Sequence, residues 1–426
     1  MTYKQAFYPS KPFVITAVIM LIIGSALGSI WMMIVYGLIL PAELMSRVNL
    51  HVLVQFDGFL TLMIMGMGYL IVPRFRNISI PSIKIAYLSY VLVLLSIICS
   101  ISVSWSGIPQ IIHDFGSFLA DAFRLIAVGI FCFTLILILR VRPKLLRMAD
   151  YFILISVMLF GTLTVLHSFN ISAVTNNILL WLMFPILMIF GVEYKTLPSF
   201  IGFIWPRKLP SLISATLLTL SLCFGIASIF HNSIIFSTIF QFSFLFGAIF
   251  FALAQNIFVG FDTSKIMQLS KGEKKARYKY TLFIAKLSFA TLFVGIGLSI
   301  TSIYLPDIFV IYDMWIHVIA IGFIGLTVAL YLPILLSPIL GRTIRFTHLS
   351  KLPIWLIVIS LGIRVVGDIF IQSIPYYGEV SHQYLSIALS LSGWLTLAAI
   401  LYFMFMVHRS MNVASQVFTE DGTTAL

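Results

Sequence analysis

Long apolar runs alternate with short polar connections along the whole sequence. About 20 apolar residues are enough to cross the hydrocarbon of a membrane, so each run predicts one spanning segment. Because the bilayer supplies no water to unpaired backbone groups, each segment is expected to be a helix. The pattern predicts twelve spans, at 13–40, 50–73, 85–104, 118–141, 151–170, 178–198, 209–230, 233–261, 282–304, 310–336, 353–374 and 383–407.

No low-complexity or proline-rich linker divides the chain, which predicts a single transmembrane domain over 1–426. The longest polar connection, 262–281, is expected to be a loop between the eighth and ninth spans. The first apolar run is longer than the core of a signal peptide and lacks a small-residue cleavage site. It is therefore interpreted as a retained span.

Composition points to the same class of protein. The chain is 61% hydrophobic and 9% charged, whereas soluble domains carry about 25% charged residues. The lipid bilayer is thus the expected environment. The net charge of +12 is explained by basic connections on one side of the membrane rather than by nucleic-acid binding. Cys99, Cys132 and Cys223 lie in apolar runs without a CxxC pair, which indicates neither disulfides nor a thiolate zinc site.

Basic residues predict the orientation. Of the 26 Lys and Arg residues, 22 lie at the termini or in even-numbered connections, and Arg47 alone lies in an odd-numbered one. Positively charged connections stay in the cytoplasm. Both termini are therefore predicted to be cytoplasmic in a multi-pass protein of the cell membrane, which requires an even number of spans.

The histidines concentrate in the predicted outer half. His51 and His317 begin spans two and ten, which both run inward, so they are expected at similar depth. His167 ends the fifth span on the outer side. His113 and His231 fall at outer loops, where an ordinary interfacial histidine explains them equally well. These last three residues are candidate copper ligands.

His51 opens a helix face in an apolar span. An imidazole there is costly without a partner, and two neutral imidazoles from opposing helices suit a haem iron or copper. We therefore expect a haem iron shared by His51 and His317. Glycines follow both histidines and would let helices approach a porphyrin, although glycines also serve ordinary helix packing. The face contains His51, Gln55, Gly58, Phe59, Leu62, Met65 and Tyr69.

Two arginines within spans are candidates for binding haem propionates. Arg124 and Arg364 offer the bidentate geometry that carboxylates favour. Equally, each could form a structural ion pair on its own helix, Arg124 with Asp121 and Arg364 with Asp368. Further along, Glu193 and Lys195 lie near the inner end of span six, where a solvated helix end is the expected explanation.

Two segments resemble a known family. LHVLVQFDGFLTLMIMGMGYLIVPRF and WIHVIAIGFIGLTVALYLPILLSPILGR are similar to the second and tenth helices of the NnrS family. Those are twelve-span haem- and copper-containing membrane proteins linked to nitric-oxide stress. The most specific match is His317 with Gly322, Gly325 and the closing Gly341-Arg342. FGVEYKTLPSF (190–200) resembles the family's sixth-helix segment, but has Val-Glu where the family usually has Gly-Arg.

The first segment is also similar to subunit I of haem–copper oxidases and nitric-oxide reductases. This resemblance implies an oxidase-like bundle and axial ligation of a b-type haem by His51 and His317. The second histidine that oxidases carry in helix ten is missing, because Trp315 and Ile319 flank His317. Span six has no histidine and span seven has only His231. The dioxygen-reducing haem–copper pair is therefore expected to be absent.

The favoured function is an NnrS-like haem protein that binds or turns over nitric oxide, or passes electrons to a redox partner or respiratory complex. Oxidoreductase activity is left open. A twelve-helix secondary transporter is an alternative, although the long basic connection lies after span eight rather than span six. A third alternative is a regulatory or assembly subunit derived from a haem–copper oxidase.

Overall fold

The computed structural model consists of helices that run the length of a bundle. Twelve helices in its described residues are long and apolar enough to cross a membrane. This confirms the prediction of an all-α multi-pass membrane protein with twelve spans. The structure describes residues 9–36, 48–104, 108–141, 147–169, 171, 177–231, 233–258, 271–305, 309–340, 342–373 and 379–412.

Nine of these helices are continuous α-helices. They are α1 (Ser10–Val35), α3 (Ile83–Val103), α4 (Gln110–Arg140), α5 (Met148–Ser168), α7 (Lys208–His231), α8 (Ile234–Ala254), α9 (Gly272–Tyr304), α11 (Leu352–Ser373) and α12 (Glu379–Ser410).

The other three helices, α2, α6 and α10, contain π-helical segments. In α2 the segment Val54–Thr61 lies between α-helical Val48–Leu53 and Leu62–Arg76. In α6, α-helical Ile178–Thr196 is followed by π-helical Leu197–Ile201. In α10, Val318–Gly325 is π-helical between Phe309–His317 and Leu326–Leu340. The apolar pattern alone did not predict these segments.

Two helices extend beyond their apolar runs. α9 begins at Gly272, so the expectation of a loop over 262–281 is wrong for its last ten residues. The segment GEKKARYKYT is rich in Lys, Arg, Ala and Glu, which favour helix, and it continues the membrane helix into water. The first part of the connection lies outside the described residues. α4 similarly begins at Gln110, before the predicted start.

Hydrogen bonds define one end of the bundle, here called the basic end. Arg76 of α2 donates to the carbonyl oxygen of Leu139 in α4 and pairs with Asp150 of α5. At the same end, a two-residue strand after α10 (β1, Thr343–Ile344) pairs antiparallel with one after α12 (β2, Met411–Asn412). The helix ends that carry most of the basic residues are thereby held together.

The opposite end, here called the histidine end, holds His51 and His317. Successive helices pack side by side, and α1 closes the bundle by contacting both α2 and α12. The most enclosed helices are α6 and α10, in which about three quarters of the residues of the most apolar stretch are buried. α2, α6 and α10 thus recur at every fourth helix, and each has a π segment.

Candidate functional site

His51 lies on the short α-helical turn that opens α2. Its Nδ1 is 2.8 Å from the carbonyl oxygen of Gly24 in α1. Because a carbonyl oxygen can only accept a hydrogen bond, Nδ1 carries the proton and Nε2 keeps its lone pair. Gly28, one turn further along α1, leaves room for the ring: a Cβ there would lie 2.6 Å from His51 Cε1.

His317 repeats this arrangement on α10. Its Nδ1 is 2.8 Å from the carbonyl oxygen of Asp313 and 3.2 Å from the Oδ1 atom of the same residue. Both neighbours are acceptors, so Nδ1 again carries the proton. The rings of His51 and His317 are close enough to interact electrostatically. A histidine that ligates a metal commonly donates its other ring N–H to a carbonyl or carboxylate, as both do here.

Each histidine is followed closely by a π-helical segment. In α10 the segment begins at the next residue, Val318, and in α2 it begins at Val54, three residues after His51. A π-helical turn contains about one more residue than an α-helical turn. The side chains before the segment are therefore rotated about the helix axis relative to the side chains after it. Such segments occur frequently at functional sites. They were missed from the sequence because hydropathy does not distinguish π from α geometry.

An ion pair holds Asp313, the residue that contacts His317 Nδ1. Arg364 of α11 donates from Nε to Asp313 Oδ2 at 2.9 Å, and its Nη2 contacts the same oxygen. The expected pair between Arg364 and Asp368 on one helix is therefore not the main contact. Asp368 instead accepts a 2.6 Å hydrogen bond from the hydroxyl of Tyr36. These groups extend one polar cluster across α1, α2, α10 and α11.

Arg124 belongs to a separate polar cluster between α2, α4 and α5. It donates to Asp57 Oδ2 at 2.7 Å, whereas Asp121 on its own helix is 4.0 Å away. The Nε2 atom of His167 is 3.7 Å from Asp121. The ring of His167 also meets that of Trp181 edge-on. The structural ion pair considered for Arg124 is present, with its stronger partner on α2.

The other two candidate copper ligands lie near the surface. His113 is exposed beside Asp114, and His231 is exposed with its ring against Phe236. Among the described residues, no group of three or more His, Cys, Asp or Glu side chains converges to hold a metal ion. Copper binding by His113, His167 and His231 stays a prediction.

The glycines after the histidines serve helix packing. A Cβ at Gly322 would lie 2.8 Å from Thr291 of α9, and one at Gly58 would lie 3.0 Å from Met20 of α1. The glycines that shape the histidine site are Gly24 and Gly28 of α1, which sequence reasoning missed. Their spacing of four is a small-residue packing motif, and that signal could have identified them.

A narrow apolar cavity lies between α1, α2, α6 and α10. It runs along α10 from Ile324, at the end of the π segment, to Ile339 near the basic end. The polar side chains among its lining residues are Thr327 and Tyr331. The cavity thus extends from the end of the π segment of α10 toward the basic end of the bundle.

The expectation of a solvated helix end at Glu193 and Lys195 is wrong. Glu193 is fully buried. Lys195 is half-buried, and its Nζ donates to the carbonyl oxygen of Phe75 at 2.7 Å and lies over the Phe75 ring. α6 runs through the most enclosed part of the bundle, so both side chains point into protein rather than water.

The chain was compared with known protein families and with curated protein sequences. No family model matches the chain, and no curated protein sequence matches it.

Proposed function

We propose that this chain is an NnrS-like membrane protein that holds a b-type haem between His51 and His317, and that acts in nitric-oxide response or electron transfer. One observation carries the proposal. Both imidazoles donate Nδ1–H to a carbonyl oxygen, and their rings lie close enough to interact electrostatically. Both Nε2 atoms therefore keep the lone pair that a metal requires.

The donor set fits a haem better than a bare metal ion. A bare ion generally needs three or four protein ligands, and no third His, Cys, Asp or Glu joins His51 and His317 within the described residues. A porphyrin supplies four nitrogens itself and needs one or two axial ligands. When bound, the iron supplies one-electron chemistry and, with an open axial position, a site for a gas such as nitric oxide.

The surrounding residues hold the two rings in place. The Gly24 carbonyl fixes the tautomer and plane of His51, and Asp313 does the same for His317. Arg364 pairs with Asp313 and holds its carboxylate beside His317 Nδ1. The contacts with Asp313 use Nε and Nη2 of Arg364. We propose that the third nitrogen, Nη1, contacts a haem propionate. Arg124 is the second candidate, although Asp57 and Asp121 already balance its charge.

The bundle supports the proposed likeness to oxidase subunit I. The three helices with π segments, α2, α6 and α10, are spaced four helices apart along the chain. His51 lies on α2 and His317 lies on α10. The distribution of Lys and Arg predicts that the basic end faces the cytoplasm. The haem would then lie near the outer leaflet.

The test is the absorption spectrum of the purified protein, oxidised and dithionite-reduced. A haem spectrum is expected in the wild type and should be lost or strongly altered in His51→Ala and in His317→Ala. His348→Ala is the matched control, because His348 is exposed at the basic end. Addition of nitric oxide to the reduced protein then distinguishes an open axial position, which shifts the spectrum, from tight bis-histidine ligation, which does not.

A colourless wild type from haem-replete cells would contradict the proposal and would favour the transporter reading. A spectrum unchanged in both histidine variants would move the haem elsewhere in the bundle. Copper is tested separately by metal analysis of the wild type and of His113→Ala, His167→Ala and His231→Ala. Equal copper content in all four proteins would remove these histidines as ligands.

A further inference from the structure

One carboxyl group lies in the interior of the bundle. Glu193 of α6 has no accessible surface. Neither of its carboxyl oxygens has a hydrogen-bond partner among the described residues. Lys195, the nearest basic residue in sequence, is directed to the Phe75 carbonyl instead. An ionised carboxylate in such a place is strongly disfavoured, and an ionisable residue inside a membrane is by default a functional candidate.

Two hydroxyl groups lie near this carboxyl group without a direct hydrogen bond to it. Tyr331 of α10 lies within electrostatic range of Glu193. The Tyr331 hydroxyl shares a 2.7 Å hydrogen bond with Thr196, one turn of α6 beyond Glu193. Tyr331 also lines the apolar cavity that leads up to the π segment of α10. Two hydroxyl groups able to accept and donate protons thus lie near Glu193, and internal water would be needed to bridge them to its carboxyl group.

Other buried polar groups near the basic end also lack partners. Gln255, next to the end of α8, is fully buried, and neither side-chain amide atom has a hydrogen-bond partner among the described residues. The same holds for the hydroxyl of Tyr280, whose ring meets Phe346 in the segment after α10. Buried polar groups in proteins are satisfied by internal water where no protein partner exists. Water is therefore expected in this half of the bundle.

We propose that Glu193 is a proton-transfer site, which exchanges its proton with the basic, cytoplasmic side through Tyr331, Thr196 and internal water. In one transfer the O–H bond of Glu193 breaks, and the proton passes to the oxygen of a water molecule or of Tyr331, whose own proton moves on. The carboxylate regains a proton from the same side. No electron moves, and the site does not require a bound haem.

Infrared spectroscopy of the full-length protein in lipid nanodiscs tests this role. A carboxylic-acid C=O band is expected in the wild type, and it should shift when H2O is replaced by D2O. The band should be missing in Glu193→Gln and should reappear, shifted, in Glu193→Asp. Glu273→Gln is the matched control: Glu273 is exposed at the start of α9 and is bound to Thr347, so its loss should leave the band unchanged.

The rate of deuterium exchange tests the pathway. Tyr331→Phe should slow exchange of the Glu193 band by about 10-fold or more, because proton transfer through a positioned group contributes at least this much. Tyr151→Phe is the control, since Tyr151 forms an equivalent tyrosine–threonine hydrogen bond with Thr219 on other helices. That variant should exchange at the wild-type rate.

Three results would overturn the proposal. The Glu193→Gln spectrum could match the wild type, which would mean that Glu193 carries no proton. The band could persist without exchange in D2O, which would mean a sealed acid. Tyr151→Phe could slow exchange as much as Tyr331→Phe, which would mean a general effect of packing. None of these results depends on haem, so they leave the haem proposal to its own test.

Discussion

Arg364 and Asp313 form the contact on which the position of His317 depends. Arg364→Gln leaves the Asp313 carboxylate partly buried without its cation, and breaking such a pair from one side costs about 3–5 kcal/mol. We expect the free energy of unfolding to fall by this amount in a detergent titration. Any haem spectrum should change with it, because His317 Nδ1 lies against the same carboxylate.

The double variant Asp313→Asn with Arg364→Gln separates a lost attraction from an exposed charge. Removal of both charges should cost clearly less than Arg364→Gln alone, because no unpaired ion is left buried. If the double variant is as unstable as the sum of the two single variants, the pair does not couple energetically. The observed ion pair would then not determine the position of His317.

Gly28 is the second residue on which the site depends. In Gly28→Ala the new Cβ would lie 2.6 Å from His51 Cε1, so the imidazole has to move. Haem affinity is expected to fall by roughly 10- to 100-fold, the effect of disturbing the support of a metal ligand. The ratio of haem absorbance to protein measures it.

Gly129→Ala is the control for this substitution. A Cβ at Gly129 meets no atom within 4 Å, so haem content should be unchanged, and removing a glycine from a helix should stabilise by about 0.5–1 kcal/mol. Equal loss of haem in both variants would contradict the role assigned to Gly28.

The π segments act at the scale of whole helices. Deleting Ala320 shortens the segment Val318–Gly325 by one residue, which in a regular α-helix turns His317 by about 100° relative to the rest of α10. We expect loss of the haem spectrum in a protein that still folds. Insertion of one alanine between Ile321 and Gly322 of the deletion variant restores the length and should restore the spectrum. Retention of the spectrum after the deletion alone would contradict this geometry.

The close crossing of α5 and α6 depends on Gly191. A Cβ at Gly191 would lie 2.5 Å from Ile153 Cγ1 and 2.9 Å from the carbonyl oxygen of Ala149. Because backbone has to move, Gly191→Ala should destabilise by about 1–3 kcal/mol, measured by thermal unfolding in detergent. Gly297→Ala, where a Cβ meets nothing within 4 Å, should not destabilise. If the Gly191→Ala protein is as stable as the Gly297→Ala control, the close crossing of α5 and α6 does not require glycine at position 191.

At the scale of the whole molecule, an even number of alternating spans predicts that both ends of the chain lie on one side of the membrane. The basic residues predict that this side is the cytoplasm. Green fluorescent protein fused after the last residue should fluoresce, and alkaline phosphatase fused there should be inactive. Alkaline phosphatase fused after His231 should be active. The reverse pattern would invert the orientation and place the histidine end in the cytoplasm.

Much of this architecture was predictable from local properties of the sequence. Apolar run length determines the number of spans, because each residue of a helix advances the chain by a fixed rise through a bilayer of fixed thickness. The number of spans also predicted that His51 and His317 lie at the same end of the bundle, because both begin spans that run in the same direction. Glu193 was misjudged, because its place with Lys195 at the inner end of span six suggested a solvated helix end, whereas burial depends on the neighbouring helices.

The sequence by itself determined the class of protein, the twelve spans and the two histidines at matching depth, since each follows from hydropathy and spacing. The tertiary structure decided which partner each charge takes. Arg124 pairs with Asp57 more closely than with Asp121, and Arg364 pairs with Asp313 rather than with Asp368. Glu193 has no hydrogen-bond partner among the described residues. Those choices depend on which helices meet and at which register. They therefore rest on contacts between residues far apart in the chain, which local sequence does not encode.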